Sequence, residues 1–102
     1  MSVVAFVNGT FGADRKARLW VDGLPVVGEM QKAFISTAND FFYGYSGYNI
    51  VMRQHPQLQA LLRQIITAVV KGDNYDDALK RLDGAFRSQP HYIFGTRDLV
   101  LT

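Results

Sequence analysis

The sequence contains no cysteine among its 102 residues. This absence excludes disulfide bonds, thiolate metal sites and cysteine nucleophiles together. The sequence also lacks an apolar run long enough to span a bilayer, and it has no low-complexity tract or proline-rich linker. A strong excess of charge is missing as well, because 11 basic residues are balanced by 9 acidic ones and the net charge is +2. So small a basic bias does not indicate a nucleic-acid-binding protein.

Apolar residues are plentiful, since they make up 48% of the sequence against 20% for charged residues. This balance is typical of a soluble globular protein. A chain of this length has room for one domain, so residues 1–102 are treated as a single domain. No basic segment followed by a long apolar stretch opens the sequence. We therefore expect a cytoplasmic protein with no membrane association.

The first half of the sequence has the pattern of short strands and tight turns. A β-branched and aromatic run at residues 2–7, followed by Asn8-Gly9, predicts an opening hairpin. Pro25 cannot donate a ladder hydrogen bond, so its segment is expected at a sheet edge or outside the sheet. Further strands are predicted at residues 17–21, 24–27, 32–37 and 41–45, with turns at Asp22-Gly23 and at residues 38–40.

The second half begins with a helical pattern at residues 48–71, which Pro56 interrupts. Proline either kinks this helix or begins it after a short turn that ends at His55, where its missing N–H does no harm. From Leu58 to Val70 the apolar residues recur at the three-four spacing of a buried helix face.

A second helix is predicted after Gly72, with Asn74 as its N-cap and an inner face that continues to Phe86. Residues 91–101 then have the pattern of a closing hairpin. The order of strands, two helices and strands predicts an α+β fold, with antiparallel β-sheets packed on a pair of helices.

Two segments in the first third of the chain resemble a known family. Residues 12–18, GADRKAR, resemble the small-small-Asp-x-x-small-polar segment that follows the first hairpin in proteasome β-subunits and in the bacterial peptidase HslV. Residues 28–34, GEMQKAF, resemble the segment that carries the catalytic lysine of these N-terminal nucleophile (Ntn) hydrolases. The resemblance implies a truncated Ntn sandwich that corresponds to the first half of the family fold.

The resemblance also implies a set of catalytic residues. Ser2 stands for the N-terminal nucleophile once Met1 is removed, because an α-amine beside a hydroxyl supplies base and nucleophile from one residue. Lys32 matches the lysine that lowers the pKa of the nucleophile, and Asp14 matches the aspartate that orients the lysine. The alternative is an inert ion pair between Asp14 and Lys32 that is retained for structure alone.

The missing half of the family fold predicts a partner. Without it, one sheet edge and one apolar sheet face are expected to be uncovered. A homo-oligomer, with a dimer favoured, or another protein partner would cover them. The aromatic residues of one stretch suit such an interface, but they suit a sandwich core equally well, because alternate strand residues point to opposite sides. These residues are Phe41, Phe42, Tyr43, Tyr45 and Tyr48.

Two functions follow from the resemblance. The first is a non-catalytic, proteasome-like binding or assembly protein, of the kind that a phage or mobile element uses to inhibit a host complex. The second is a minimal oligomeric peptidase or amidohydrolase that uses Ser2, Asp14 and Lys32. Neither function needs a cofactor, and His55 and His91 lack the neighbouring ligands and spacing of a metal site.

Overall fold

The computed structural model describes residues 4–7, 10–13, 16–22, 24–29, 31–47, 50–89 and 91–102. Within these residues the protein is a small α+β domain with antiparallel strands, as the sequence predicts. The strands are β1 (Val4–Val7), β2 (Thr10–Ala13), β3 (Lys16–Val21), β4 (Leu24–Glu29), β5 (Ala33–Ile35), β6 (Phe42–Ser46), β7 (His91–Gly95) and β8 (Val100–Leu101). The helices are α1 (His55–Val70), α2 (Tyr75–Leu79) and α3 (Gly84–Arg87), with a 3-10 turn at Met52–Gln54.

The first four strands form two hairpins. β1 pairs with β2 as predicted, although Asn8 and Gly9 lie outside the described residues. β3 pairs with β4 in a separate two-stranded sheet, and the register sets Pro25 opposite Trp20. Because β3 is the one strand paired with β4 in the described part of the chain, Pro25 occupies an edge strand.

The last four strands form one antiparallel sheet in the order β5-β6-β7-β8. Antiparallel partners lie on the same side of a sheet, so the register sorts the side chains onto two faces. The inner face carries the large side chains Phe34, Tyr43, Phe94, Leu101, Tyr45 and Tyr92. The outer face carries Ile35, Phe42, Gly95 and Val100 in one row, Ala33, Gly44 and Ile93 in the next, and Ser46 and His91 at one end.

Helix α1 covers the inner face. The helix begins at His55, so Pro56 lies in its first turn and does not kink it, which is close to the second of the two predicted outcomes. Leu58, Leu62 and Ile65 are completely buried, as the three-four spacing predicts. Burying one such side chain is worth about 1.5–3 kcal/mol relative to leaving it in water, so this contact holds the helix and the sheet together.

The second predicted helix is divided in the structure. Asn74 caps α2 by accepting a hydrogen bond from the Asp77 amide at 3.2 Å, as predicted. The helix stops at Leu79, and α3 starts at Gly84, whose φ of +53° lies in the left-handed region. A single helix through residue 86 is therefore wrong, because α2 ends at Leu79 and the backbone is extended at Asp83 before α3 begins. Both Leu82 and Phe86 are nevertheless buried, as their apolar spacing indicates.

A polar clamp fixes the turn between β5 and β6 on α1. Arg63 donates two hydrogen bonds of 3.0 Å to the Asp40 carboxylate, and the Ser36 hydroxyl donates a third at 2.5 Å. These bonds, the Arg63 bonds first, lower the pKa of Asp40 to about 2. The guanidinium also lies 5.4 Å from the ring centre of Phe41. The clamp holds the predicted turn, where Asn39 has a φ of +61°.

Gly95 is a position where only glycine fits. Its φ is +149°, and a Cβ atom there would overlap the carbonyl oxygen of Leu99. Gly84 also has a positive φ, but nothing lies within 4 Å of the place where its Cβ atom would be. Both glycines therefore have a positive φ that favours glycine, but a Cβ atom would clash with a neighbouring residue only at Gly95.

We expect Gly95→Ala to lower the free energy of unfolding by clearly more than the 1–2 kcal/mol or so of left-handed strain that Gly84→Ala costs. Urea denaturation followed by circular dichroism measures both changes. Equal losses for the two variants would contradict the close approach of Leu99 to Gly95.

Candidate functional site

Of the three residues proposed for catalysis, Lys32 is the one that the structure describes. Ser2 and Asp14 lie outside the described residues. Lys32 lies just before β5 and is buried, with 8% of its surface exposed. A buried lysine agrees with both interpretations of the sequence, because a catalytic lysine and an inert ion pair each require one.

The aromatic stretch divides between the two faces of the sheet. Phe41 and Tyr43 are 5% and 1% exposed and belong to the core, and Tyr45 packs against that core from the inner face. For Phe41 and Tyr43 this burial agrees with the sandwich core, one of the two alternatives that the sequence left open. Phe42 lies on the outer face and is half-buried, whereas Tyr48 lies outside the described residues.

A buried polar network lies between the inner face and α1. The Tyr43 hydroxyl lies 2.7 Å from Nδ1 of His55, and Nε2 of Gln59 donates to the same hydroxyl at 3.1 Å. Oε1 of Gln59 in turn accepts from the Thr37 amide at 2.9 Å. The network joins the start of α1 to β6 and to the turn after β5.

His55 is the most constrained member of this network. It is 3% exposed, and its Nε2 atom has no hydrogen-bond partner among the described residues. Burial lowers the pKa of His55 from its ordinary value, and the Ile50 backbone opposes part of this shift. Burial likewise raises the pKa of Tyr43.

The network is closed to substrates. A general base has to reach a substrate proton within hydrogen-bonding distance, and the His55 ring is instead enclosed by the rings of Phe34, Tyr43 and Tyr45, with centres 4.7 to 6.2 Å away. We assign the network to structure. Sequence reasoning missed it, and the available signal was a histidine one residue before a helix-starting proline, opposite strands rich in tyrosine.

The outer face of the four-stranded sheet is the main surface feature of the described residues. Ile35 is 66% exposed, and Phe42, Ile93 and Val100 are half-buried. Apart from His91 and Ser46 at one end, every residue of this face is apolar or glycine. A contiguous apolar sheet face that is partly open to solvent is typical of an interaction surface.

The opening hairpin meets this sheet. β1 contacts β6, and β2 contacts β5. The opening hairpin therefore lies against the β5 and β6 part of the sheet. Ile35 stays exposed with the hairpin in place.

Other kinds of site find little support in the described part of the chain. No group of three or more acidic, histidine or cysteine side chains there could hold a metal ion. None of the described helices has the length and apolarity needed to cross a membrane. No family model matches the chain, and neither the curated proteins nor the solved structures contain a significant match to it.

The lowered pKa of His55 predicts a pH-dependent stability. Between the ordinary pKa of 6.5 and the lower folded value, the unfolded state binds more protons than the folded state. The contribution of neutral His55 to the free energy of unfolding is therefore fully present above pH 6.5, and it is lost as the pH drops through this window.

We expect the urea midpoint to fall between about pH 7 and about pH 5, and to fall less in His55→Asn. His91→Gln serves as the control, because His91 is exposed. The control should keep the dependence of the wild type, and an undiminished fall in His55→Asn would exclude His55 as its source.

Proposed function

We propose that the protein is a non-catalytic binding or assembly protein that uses the outer face of its four-stranded sheet as a contact surface. The observation that carries the proposal is the apolar outer face, with Ile35 66% exposed in its first row. We further propose that a second copy of the chain is the partner, so that the functional form is a homodimer.

The chemistry of the outer face favours a second copy. A twofold dimer brings the same patch of both subunits together, so charged groups of one sign would meet their own kind. The outer face avoids this problem, because its two central rows contain no charged side chain. Gly44 and Gly95 lie beside Phe42 and Ile93 in the same two rows.

The shape of the subunit supports the same proposal. The Cα radius of gyration is 14.3 Å, whereas a compact domain of this length is expected to have one near 13 Å. The principal extents of 48 × 32 × 23 Å describe an elongated subunit. Association over the outer face would give this subunit a second layer.

Such a dimer would also match the layer order that the resemblance to the Ntn hydrolases implies. Two copies joined over their outer faces would give helix, sheet, sheet and helix layers, which is the order in the proteasome-like sandwich. The second copy would then take the place of the family's missing later half. An inhibitor of a host complex is a further form of the same function, in which a different protein covers the outer face.

Ile35→Lys tests the proposed surface. Lysine on the exposed face of a sheet opposes association and leaves the inner packing intact. We expect the wild type to sediment as a dimer and Ile35→Lys as a monomer with an unchanged circular dichroism spectrum. Val70→Lys is the matched control, because Val70 is 70% exposed on α1, which packs on the other side of the sheet.

Two outcomes of this sedimentation experiment would contradict the proposed dimer surface. A wild type that is monomeric at every concentration measured would remove the second copy as the partner. A wild-type dimer that persists in Ile35→Lys but dissociates in Val70→Lys would move the contact from the outer face to α1.

Burial of Lys32 keeps a second candidate function open, the minimal peptidase with Ser2 as nucleophile. For a non-catalytic protein we expect no adduct when the purified protein is treated with an electrophile that traps N-terminal nucleophiles. Intact-mass measurement checks this expectation. Loss of Met1 together with one adduct, absent in Ser2→Ala and in Lys32→Ala but present in Lys71→Ala, would make the protein an enzyme instead.

A further inference from the structure

The hairpin of β3 and β4 is a two-stranded sheet of its own, and no other described strand pairs with either of its edges. The two strands contact each other closely and have only slight contact with the other described elements. Leu24, the first residue of β4, is 66% exposed. A two-stranded hairpin alone is marginally stable in water, whereas a sheet of three or more strands is stable. The hairpin would therefore gain stability from a further strand.

The register shows which main-chain groups of β3 bond to β4. Val21 is opposite Leu24, so two residues join the strands. In so short a turn the first flanking carbonyl accepts a hydrogen bond from the second flanking amide, and the φ of +51° at Asp22 suits the type I′ form. Val21 and Leu24 are therefore a bonded pair. Bonded pairs recur at every second position, which makes Leu19 and Ala17 the next residues of β3 that bond to β4.

Pro25 leads to the same assignment. It has no N–H, and it is opposite Trp20 in a pair that lies between two bonded ones, so the proline costs the hairpin no hydrogen bond. The N–H and C=O groups of Lys16, Arg18 and Trp20 therefore point away from β4. The two edges of the hairpin differ as a result, because the β4 edge lacks the N–H of Pro25 and the β3 edge has all its donors and acceptors.

The sequence of β3 is suited to pairing with the same strand of a second copy. A twofold axis makes the two strands antiparallel, and it can lie at any residue of β3. A centre at Arg18 would set two arginines opposite each other, which is destabilising. A centre at Leu19 sets Arg18 opposite Trp20 and Ala17 opposite Val21. This is the longest pairing within β3 that keeps its two basic residues from facing each other.

The Leu19-centred pairing is favourable at its other positions as well. The ends of the pairing set Lys16 of one copy opposite Asp22 of the other, so an attraction replaces a repulsion. Lys16 is also opposite Glu29 within its own hairpin, so the pairing needs no unpaired cation. A basic residue beside an aromatic one, as at Arg18 and Trp20, is a further favourable contact.

We propose that two copies of the chain join their β3 strands edge to edge, antiparallel and centred on Leu19, to form one four-stranded sheet across the interface. Arg18 of each copy exchanges main-chain hydrogen bonds with Trp20 of the other. The contact uses a strand edge, so it does not rest on the proposed dimer over the outer face. It is also the smaller of the two contacts, so it forms at protein concentrations above those at which Ile35→Lys sediments as a monomer.

Disulfide trapping tests the pairing, because the sequence has no cysteine. Opposite residues of a non-bonded antiparallel pair have Cα atoms about 4.5 Å apart, within the span of about 4.4–6.8 Å that a disulfide bridges. Leu19→Cys should therefore link two copies several-fold faster than Leu24→Cys under the same mild oxidation. Leu24→Cys is the control, because Leu24 is 66% exposed but lies on β4, away from the twofold centre. All variants carry Ile35→Lys, so that the outer face does not bring the copies together.

A mixing experiment determines the register. Ala17→Cys and Val21→Cys should each stay unlinked alone, because the same residue of the two copies lies well apart along the paired strands. A mixture of the two variants should link readily, because Ala17 of one copy is opposite Val21 of the other. Linking of either variant with itself would overturn the Leu19-centred register.

Proline substitutions test the main-chain hydrogen bonds. Arg18→Pro removes an N–H from the β3 edge and takes none from the hairpin, because Arg18 and Val27 form a non-bonded pair. It should abolish the linking of Leu19→Cys without changing the circular dichroism spectrum. Val27→Pro is the matched control, because the N–H of Val27 points away from β3, and it should leave the linking intact.

Two results would overturn the proposal whatever the proline variants do. Equal linking of Leu19→Cys and Leu24→Cys means random collision. A Trp20 amide that is protected from hydrogen exchange to the same degree at every protein concentration means that the same chain covers the edge. Either result leaves the outer-face dimer untouched, whereas a wild type that sediments as a monomer removes that dimer and leaves the β3 pairing untouched.

Discussion

The register of the four-stranded sheet is the constraint on which the rest of the structure depends. Because Tyr43 is opposite Phe94 and Tyr45 is opposite Tyr92, these four rings point to one side of the sheet, the side that α1 covers. The same register gives the other side Phe42, Gly44, Gly95 and the aliphatic residues Ile35, Ile93 and Val100. A shift by one residue would exchange the faces and expose the rings. One pairing pattern thus creates both the core and the surface that we propose for association.

The core that this register produces is not purely apolar. Tyr43, His55 and Gln59 form a hydrogen-bonded group between sheet and helix, and it places a titratable ring where protonation is costly. The group connects the start of α1 to one position on β6, so it favours a single alignment of helix and sheet. Its burial also closes it to substrates.

Much of the fold follows from the sequence, because the signals are local. Asn39 and Gly72 have the positive φ angles that turns and helix ends require, and Pro56 marks the start of α1. The break before α3 was not predictable from apolar spacing, since Leu82 and Phe86 keep that spacing while Gly84 changes the backbone direction. Alternation along β6 predicts two faces but not which of them α1 covers, so Phe41 and Tyr43 fitted a contact surface equally well. The role of His55 depends on its contacts with Phe34 and Tyr43, and no local sequence pattern predicts these contacts.

The central claim is that a second copy covers the outer face, and the absence of cysteine allows a direct measurement. A nitroxide label attached to Arg97→Cys would lie at the exposed turn between β7 and β8, at the end of the sheet where Ile35 and Phe42 also lie. Labelled chains are mixed with unlabelled chains that carry nitrogen-15, and intermolecular broadening of amide signals is recorded. The account predicts broadening at β5, β6 and β8 of the unlabelled copy. Broadening confined to α1, or none at any concentration, would contradict it.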